Sequence, residues 1–282
     1  MALSRLRIGQ ILGISAAVVT VGVVVVGMTI VRSDRVPAYA TTTPPEAGVL
    51  INAGSFSAHL KAGRVGAAVS PISVAYTFDG GADEPITDEN GGHELEPLGQ
   101  NGGTLRLVPK GSGLAVSFPA RCTLAKERLC PRAILEGFRD DALNPGTRPL
   151  AYGASVRMTH ADLSDGANVV QKGFSVGGVS EFKLQVDHEL GHPSCAIVGQ
   201  NKHIYLAQPK LDVADGEWHD LRCVRDATGL SLSVDGVERA SVAVPPTVFI
   251  ANAEPLRVGG KGAGKGNDQF AGEIDNVFVT IS

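Results

Sequence analysis

The sequence predicts an all-β sandwich that follows an N-terminal hydrophobic helix. Glycine accounts for 35 of the 282 residues, and turn signals recur about every 8 to 12 positions, a spacing typical of the short strands of a sandwich. After the N-terminus, no long segment repeats its apolar residues with the helical period of about 3.6. Helix is therefore expected to be scarce in the rest of the chain, which is long enough for one domain with its own core.

The N-terminal segment, residues 1–40, predicts export as a signal peptide or a signal anchor. Arg5 and Arg7 precede an apolar run over residues 8–31, which as a helix would span about 36 Å and cross a hydrocarbon core of about 30 Å. Residues 36–40 end in an Ala-x-Ala pattern that suits signal peptidase. Cleaved signal and uncleaved membrane anchor both remain open, and either one places the bulk of the chain outside the cytoplasm.

Strand candidates recur regularly after a flexible spacer over residues 41–69, and they define one domain over residues 70–282. Residues 230–234, LSLSV, show the pattern, because alternate apolar side chains share one face of a strand. No strand is expected between residues 120 and 152, where the pattern breaks into a cysteine loop and a proline-rich turn. The candidates are residues 74–78, 105–108, 114–118, 154–159, 169–172, 182–186, 195–198, 204–207, 218–225, 230–234, 237–244, 256–258 and 273–281.

The acidic charge argues against a nucleic-acid partner. The whole chain has a formal net charge of −4, and residues 41–282 have −7, because residues 1–40 contain four arginines and one aspartate. A phosphate backbone requires a basic patch, whereas acidic side chains favour divalent cations.

Four cysteines behind an export signal predict two disulfide bonds, and four cysteines can pair in three ways. The favoured pairing joins Cys122 to Cys130, around a short insertion, and Cys195 to Cys223, whose strands we expect to be neighbours. The chain contains no Cys-x-x-Cys spacing of the kind that indicates zinc or redox chemistry.

Three segments together carry a resemblance to a known family. Residues 215–236 read DGEWHDLRCVRDATGLSLSVDG, residues 270–278 read FAGEIDNVF, and residues 74–79 read VAYTFD. This combination resembles the laminin-G-like (LamG) modules of the concanavalin A-like lectin and glucanase superfamily, over roughly residues 70–282. The resemblance implies an antiparallel jelly-roll β-sandwich that is often calcium-bound and extracellular, and that serves binding more often than catalysis.

Calcium is the cofactor that the resemblance implies. In the superfamily a calcium ion commonly ties the first strand to the last, near the positions that match Asp79 and Asp275. Asp88, in an acidic glycine-rich loop, is a third candidate ligand, because calcium takes about six to eight oxygen ligands. The alternative is that Asp79 and Asp88 cap turns without a metal.

Two patterns make a hydrolase the alternative function. Residues 188–192 read HELGH, a zinc-protease motif that requires both histidines on one face of a helix; the preceding residues alternate like a strand, and Pro193 disfavours helix at His192. A laminarinase-type glucanase, by resemblance, uses Glu-x-Asp-x-x-Glu. Glu273 and Asp275 match its first two positions, but Phe278 replaces the last glutamate.

The single tryptophan and a glycine-rich segment complete the candidates. Trp218 shares a strand face with Val224 and is expected in the core, whereas His219 is expected to be a partly buried structural histidine. Residues 259–266, GGKGAGKG, approach a phosphate-binding loop but have glycine where serine or threonine should bind magnesium. We interpret them as a flexible surface loop with two lysines.

The prediction is therefore a non-catalytic, extracytoplasmic recognition module. Its partner is expected to be a glycan or a cell-surface protein, contacted by loops at one edge of the sandwich that include residues 253–269. It would be secreted or held at the membrane by residues 8–31.

Overall fold

Two antiparallel β-sheets packed face to face form the domain, which confirms the predicted jelly-roll class. The predicted N-terminal helix, export signal and spacer lie outside the described part of the chain. Within that part, no helix has the length and apolar character needed to span a bilayer. The computed structural model describes residues 70–81, 86–164, 166–176, 179–187 and 189–282. Three short 3-10 helices cover Glu127–Leu129, Asp141–Leu143 and His160–Asp162.

The strands are numbered in chain order. They are β1 Ile72–Tyr76, β2 Ile86–Thr87, β3 Glu94–Gln100, β4 Arg106–Lys110, β5 Gly113–Phe118, β6 Arg132–Gly137, β7 Leu150–Thr159, β8 Ala167–Gly173, β9 Glu181–Val186, β10 Pro193–Val198, β11 Ile204–Ala207, β12 Asp215–Arg225, β13 Leu230–Val234, β14 Val237–Val242, β15 Leu256–Val258 and β16 Gly272–Ile281. The first sheet has the order β14-β13-β12-β7-β16-β5-β4, with β1 also paired to β16. The second sheet has the order β11-β10-β9-β8-β15-β6-β3-β2.

The core lies between the two sheets and is built by alternation. In β9, Phe182 and Leu184 are fully buried against the first sheet, and each such side chain contributes about 1.5 to 3 kcal/mol by leaving water. Tyr152 of β7 crosses the core, with its ring 5.0 Å from that of Phe182. Its single hydroxyl proton is shared between the carbonyls of Lys183 at 3.2 Å and Ala196 at 3.1 Å. This side chain therefore ties the first sheet to the backbone of the second.

Both favoured disulfides are present. Cys122 and Cys130 close the segment between β5 and β6, with a Cα separation of 5.6 Å. Cys195 and Cys223 are bonded with a Cα separation of 5.7 Å. Their strands were expected to be neighbours in one sheet, and this expectation is wrong. β10 belongs to the second sheet and β12 to the first, so this bond crosses the core.

Two longer strands, β3 and β6, were not predicted. β6 lies inside the second sheet and within the region where no strand was expected; its first four residues are all buried, and a strand buried on both faces shows no alternation. β3 contains Pro97. Only Glu94 and Leu95 of β3 pair with β2, so β2 does not extend as far as Pro97. Pro109 lies in β4, at the edge of the first sheet. Both prolines thus lie where their strand has a neighbour on one side only, which is where proline is tolerated in a sheet.

Candidate functional site

A polar pocket lies on the face of the second sheet that is turned away from the first sheet. Its volume is about 330 Å³, at the lower end of the roughly 300 to 1,000 Å³ found for small-molecule sites. The strands β8 and β9 and the loop that precedes β16 contribute its walls. The side chains that we refer to as the polar pocket are those of Gln171, Phe174, Glu181, Lys183, Lys261, Lys265 and Asp268.

The alternation of β9 directs two charged side chains into this pocket. Phe182 and Leu184 face the core, so Glu181 and Lys183 project from the opposite face. Lys183 is directly opposite Gln171 of β8 in the strand pairing. The same packing that buries the core residues therefore fixes the spacing of the polar ones.

A bulge in β8 places two amide side chains on the pocket face. The register between β8 and β9 shifts between Asn168 and Val170, which brings Asn168 and Gln171 to the same side. Asn168 Nδ2 donates to Gln171 Oε1 at 2.6 Å, and Gln171 Nε2 donates to the Gly173 carbonyl at 2.6 Å. One N–H of the Gln171 amide remains for a ligand.

Glu181 is the most unusual group in the pocket. It is 2% exposed, and its Oε2 atom has no hydrogen-bond partner among the described residues. Burial raises the pKa of this carboxyl to about 7, although Lys183 and Lys261 act in the opposite direction. An unpartnered buried oxygen is costly, and a bound polar ligand would provide its missing hydrogen bond.

Phe174 supplies the aromatic component. It follows β8 and is half-buried, and the Arg257 guanidinium lies 5.2 Å from its ring centroid. Arg257 is held in turn by an ion pair with Glu136 and by Glu254 Oε2 at 3.0 Å. The ring is therefore held by a cation–π contact and lines the pocket together with hydrogen-bonding groups.

The loop between β15 and β16, which forms the wall of the pocket opposite β9, is stabilised by contacts between its own residues. The Lys261 N–H donates to the Asn267 carbonyl at 2.8 Å, and Lys261 Nζ lies 2.8 Å from Asp268 Oδ2. Gly259, with φ of 86°, passes so close to Phe118 that a Cβ atom there would clash with the ring. The glycine-rich segment interpreted as a flexible loop thus has defined internal contacts.

The segment closed by Cys122 and Cys130 braces this loop. Glu127 Oε1 accepts from the Gly266 N–H at 2.8 Å, and Lys265 Nζ lies 3.4 Å from Glu127 Oε2. Arg132 Nε donates to Asn267 Oδ1 at 3.0 Å. This wall of the pocket is therefore held in place by residues that are distant from it in the sequence.

The three predicted calcium ligands each contact a group of the protein. Asp79 Oδ1 accepts from the Leu114 N–H at 2.7 Å, and Asp275 Oδ2 lies 2.9 Å from Lys110 Nζ. The Asp88 carboxylate accepts three backbone N–H groups, from residues 90, 92 and 93, which is the arrangement of a turn cap. No group of three or more His, Cys, Asp or Glu side chains suited to a metal occurs in the described residues. Calcium binding stays a prediction.

The HELGH segment connects two strands. His188 lies outside the described residues, and its neighbours form β9, a turn at Glu189 and Leu190, and then β10. The Leu190 N–H donates to Asp187 Oδ1 at 2.9 Å, and His192 Nδ1 lies 3.5 Å from Asp187 Oδ2. The described part of this segment is therefore not the helix that a zinc-protease motif requires.

The glucanase-like carboxylates lie on the outer face of the first sheet, away from the polar pocket. Arg157 donates to Glu273 at 2.7 Å, so both Glu273 and Asp275 are ion-paired. Trp218 occupies the same face, with Lys110 Nζ 4.2 Å from its ring centroid. The prediction that Trp218 packs in the core is wrong, because the inward positions of β12 are those of Leu221 and Cys223.

His219 was predicted correctly as a partly buried structural histidine. Its ring lies 2.8 Å from Asp235 Oδ2 and 3.1 Å from Asp215 Oδ1. Burial acts to lower the pKa of His219, but the two carboxylates raise it above its usual value.

Residues 253–269 were predicted to contact a ligand, and Lys261 and Asp268 of this loop line the polar pocket. Ligand contact by the loop stays a prediction. The sequence did not predict a binding role for Gln171, Glu181 and Lys183, because their segments were interpreted only as core strands. The signal that could have revealed them is the polar half of the alternation in EFKLQV.

Three solved structures illustrate what the fold is similar to. Domain 4 of AbnA, a GH43 extracellular arabinanase from Geobacillus stearothermophilus, in complex with arabinotriose, matches with a TM-score of 0.56 and 16% identity, over 74% of this chain and 91% of that one. The binding domain of Paraclostridial Mosquitocidal Protein 1 matches with 0.52 and 12%, over 73% and 48%. The binding domain of botulinum neurotoxin DC in complex with SialylT matches with 0.52 and 10%, over 73% and 47%.

These likenesses show the fold alone, since all identities are low. The chain spans about half the length of the two toxin domains. No curated protein matches the chain in sequence.

The family follows from a match to the sequence itself. The laminin-G family model described as the concanavalin A-like lectin/glucanases superfamily matches residues 138–280, which is just over half of the 282 residues. The chain therefore belongs to the concanavalin A-like lectin/glucanases superfamily.

Proposed function

We propose that this domain is a non-catalytic carbohydrate-binding module and that the polar pocket is its glycan site. The observation that carries the proposal is the buried Glu181, whose Oε2 atom has no hydrogen-bond partner among the residues that the structure describes, beside Gln171 and Lys183 on one sheet face. Sugars present many hydroxyl groups, which both donate and accept hydrogen bonds. Phe174 adds an apolar surface for the C–H groups of a sugar ring.

Two further facts support this assignment. Domain 4 of the arabinanase binds arabinotriose, and the neurotoxin binding domain was solved with SialylT, so the fold accommodates glycans elsewhere. The two disulfides suit an oxidising compartment outside the cytoplasm, in line with the export signal proposed for residues 1–40.

A second cavity is less suited to sugar. It has a volume of about 300 Å³ and is lined mainly by apolar side chains, including Ile86, Leu105 and Leu107. Such a lining offers few hydrogen-bonding groups for hydroxyls, each of which costs free energy when buried without a partner.

The test is a glycan array followed by calorimetry on the purified full-length chain, with and without calcium. We expect Phe174→Ala and Glu181→Ala to weaken binding of a retained glycan by about tenfold, the equivalent of about 1.4 kcal/mol. Phe138→Ala and Glu217→Ala serve as matched controls, because both side chains are exposed and neither lines the pocket.

Two results would contradict the proposal. If the pocket variants bind a retained glycan as tightly as the controls, the glycan binds elsewhere. If the wild-type chain cleaves the glycan and Glu181→Gln does not, the domain is a hydrolase. Loss of binding on removal of calcium would establish the calcium dependence that the sequence predicts.

A further inference from the structure

The polar pocket holds an excess of basic groups in an acidic protein. Lys183, Lys261 and Lys265 line it, against the acidic residues Glu181 and Asp268, whereas the chain as a whole has a net charge of −4. A local cluster of lysines inside an acidic surface concentrates anions at that point.

Two of these lysines are already paired. Lys261 Nζ lies 2.8 Å from Asp268 Oδ2, and Lys265 Nζ lies 3.4 Å from Glu127 Oε2. Lys183 forms no ion pair within 4.0 Å with a carboxylate of the described residues. Its ammonium group is therefore available to an anionic ligand.

The backbone at Lys183 is held in place. Its carbonyl accepts the Tyr152 hydroxyl at 3.2 Å, and its neighbours across the sheet are Gln171 and Ala196. The side chain is half-buried, and a charge pair in such surroundings is stronger than one in open water. The sheet thus presents one preorganised ammonium group beside an amide donor.

Glu181 complements Lys183 two residues away on the same strand face. Its Oε2 atom is buried and has no partner in the described part of the chain, and two positions along a strand correspond to about 7 Å. In its protonated form the carboxyl donates one hydrogen bond and adds no negative charge. The pair therefore suits a ligand with a carboxylate at Lys183 and an oxygen acceptor at Glu181.

We infer that the glycan bound in the polar pocket carries a carboxylate, as uronic and sialic acids do, and that this carboxylate pairs with Lys183. The inference rests on the glycan-binding function proposed above and narrows its ligand class.

The experiment compares acidic sugars with neutral partners by calorimetry on the full-length chain. The pairs are trigalacturonate with galactotriose, and 3′-sialyllactose with lactose. In salt of about 50 mM, where screening is weak, we expect the acidic member of at least one pair to bind about tenfold more tightly, as for a hydrogen bond to a charged group.

Two substitutions of Lys183 identify the charge as the cause. Lys183→Met should abolish the acidic preference while changing neutral-sugar affinity by less than about twofold, and Lys183→Arg should keep the preference. Lys210→Met is the matched control, because Lys210 is exposed and outside the pocket. Raising the salt should weaken only the acidic sugar in wild-type protein, a test that does not depend on any variant folding.

The outcomes separate the two proposals. Equal affinity for the acidic and neutral members, or an acidic preference that survives Lys183→Met, overturns the inference and leaves glycan binding intact. Failure of every sugar on the array and in both pairs to bind overturns both proposals together.

Discussion

Glu181 concentrates the physical chemistry of the proposed site in one side chain. It starts β9 and is buried, and one of its carboxyl oxygens has no partner within the described residues. Burial raises its pKa to about 7. The position resembles an ordinary strand residue in the sequence, because the alternation of EFKLQV shows which residues share a face but not whether that face is covered. Burial of the polar face depends on the loop at Lys261 and Asp268, which is remote in sequence.

Substitution of Glu181 by glutamine should stabilise the protein at alkaline pH. The carboxyl has a usual pKa of 4.5 that the fold raises to about 7, so the folded state retains a proton that the unfolded state releases. The stability from this proton is complete below about pH 4.5 and is lost as the pH rises through about 7, which predicts that Glu181→Gln exceeds wild type by about 1 to 3 kcal/mol at pH 8.

Urea unfolding, followed by Trp218 fluorescence at pH 5 and pH 8, measures this difference. Charges that face Glu181 are Lys183 on its own strand and Lys261 and Asp268 on the loop, and they are unchanged in the variant. The control Glu217→Gln should show no such dependence on pH. Equal stability of wild type and Glu181→Gln at pH 8 would contradict the raised pKa.

The glycine-rich loop over residues 259–266, which forms one wall of the polar pocket, is held by contacts that its own sequence does not predict. From the sequence, GGKGAGKG was expected to be a flexible surface loop, since glycine has the largest conformational freedom. In the structure, Glu127 and Arg132 fix it through Gly266 and Asn267. These contacts join residues more than 130 positions apart, so a local pattern contains no trace of them. The missed strand β6 has a different explanation, because its first four residues are all buried and therefore show no alternation.

Removal of the Glu127 side chain should weaken glycan binding without unfolding the domain. Glu127→Ala deletes the acceptor of the Gly266 N–H and the partner of Lys265, and loss of one such hydrogen bond corresponds to about twofold to tenfold in affinity. Calorimetry with a retained glycan checks the affinity, and thermal unfolding checks the fold. Glu238→Ala, exposed on β14, is the control. Unchanged affinity in Glu127→Ala would mean that the loop needs no brace.

The two-sheet architecture was the most predictable property of the whole molecule. Turn signals and alternating segments are local, and they were sufficient for the fold class and for most strands. The order of strands was beyond reach, because pairing of distant segments depends on packing between sheets. Cys195 and Cys223 are an example. Their pairing was predicted, but their placement in opposite sheets was not.

The disulfide across the core should contribute more stability than the short one. Cys195 and Cys223 are 28 positions apart, whereas Cys122 and Cys130 are 8 apart. In the chain-entropy description, loops of these lengths correspond to about 3 to 4 and about 2 to 3 kcal/mol. Urea unfolding of Cys195→Ala/Cys223→Ala and Cys122→Ala/Cys130→Ala measures both values. A larger loss from the second pair would show that strain or packing outweighs loop entropy here.

Pro97 and Pro109 bear on how copies of the protein behave at high concentration. The open margin of a sheet offers N–H and C=O groups to which a strand from another molecule can add. At these two margins the proline nitrogens lack the proton that such addition requires. Cross-β growth would therefore have to begin at other margins, such as those of β14 and β11.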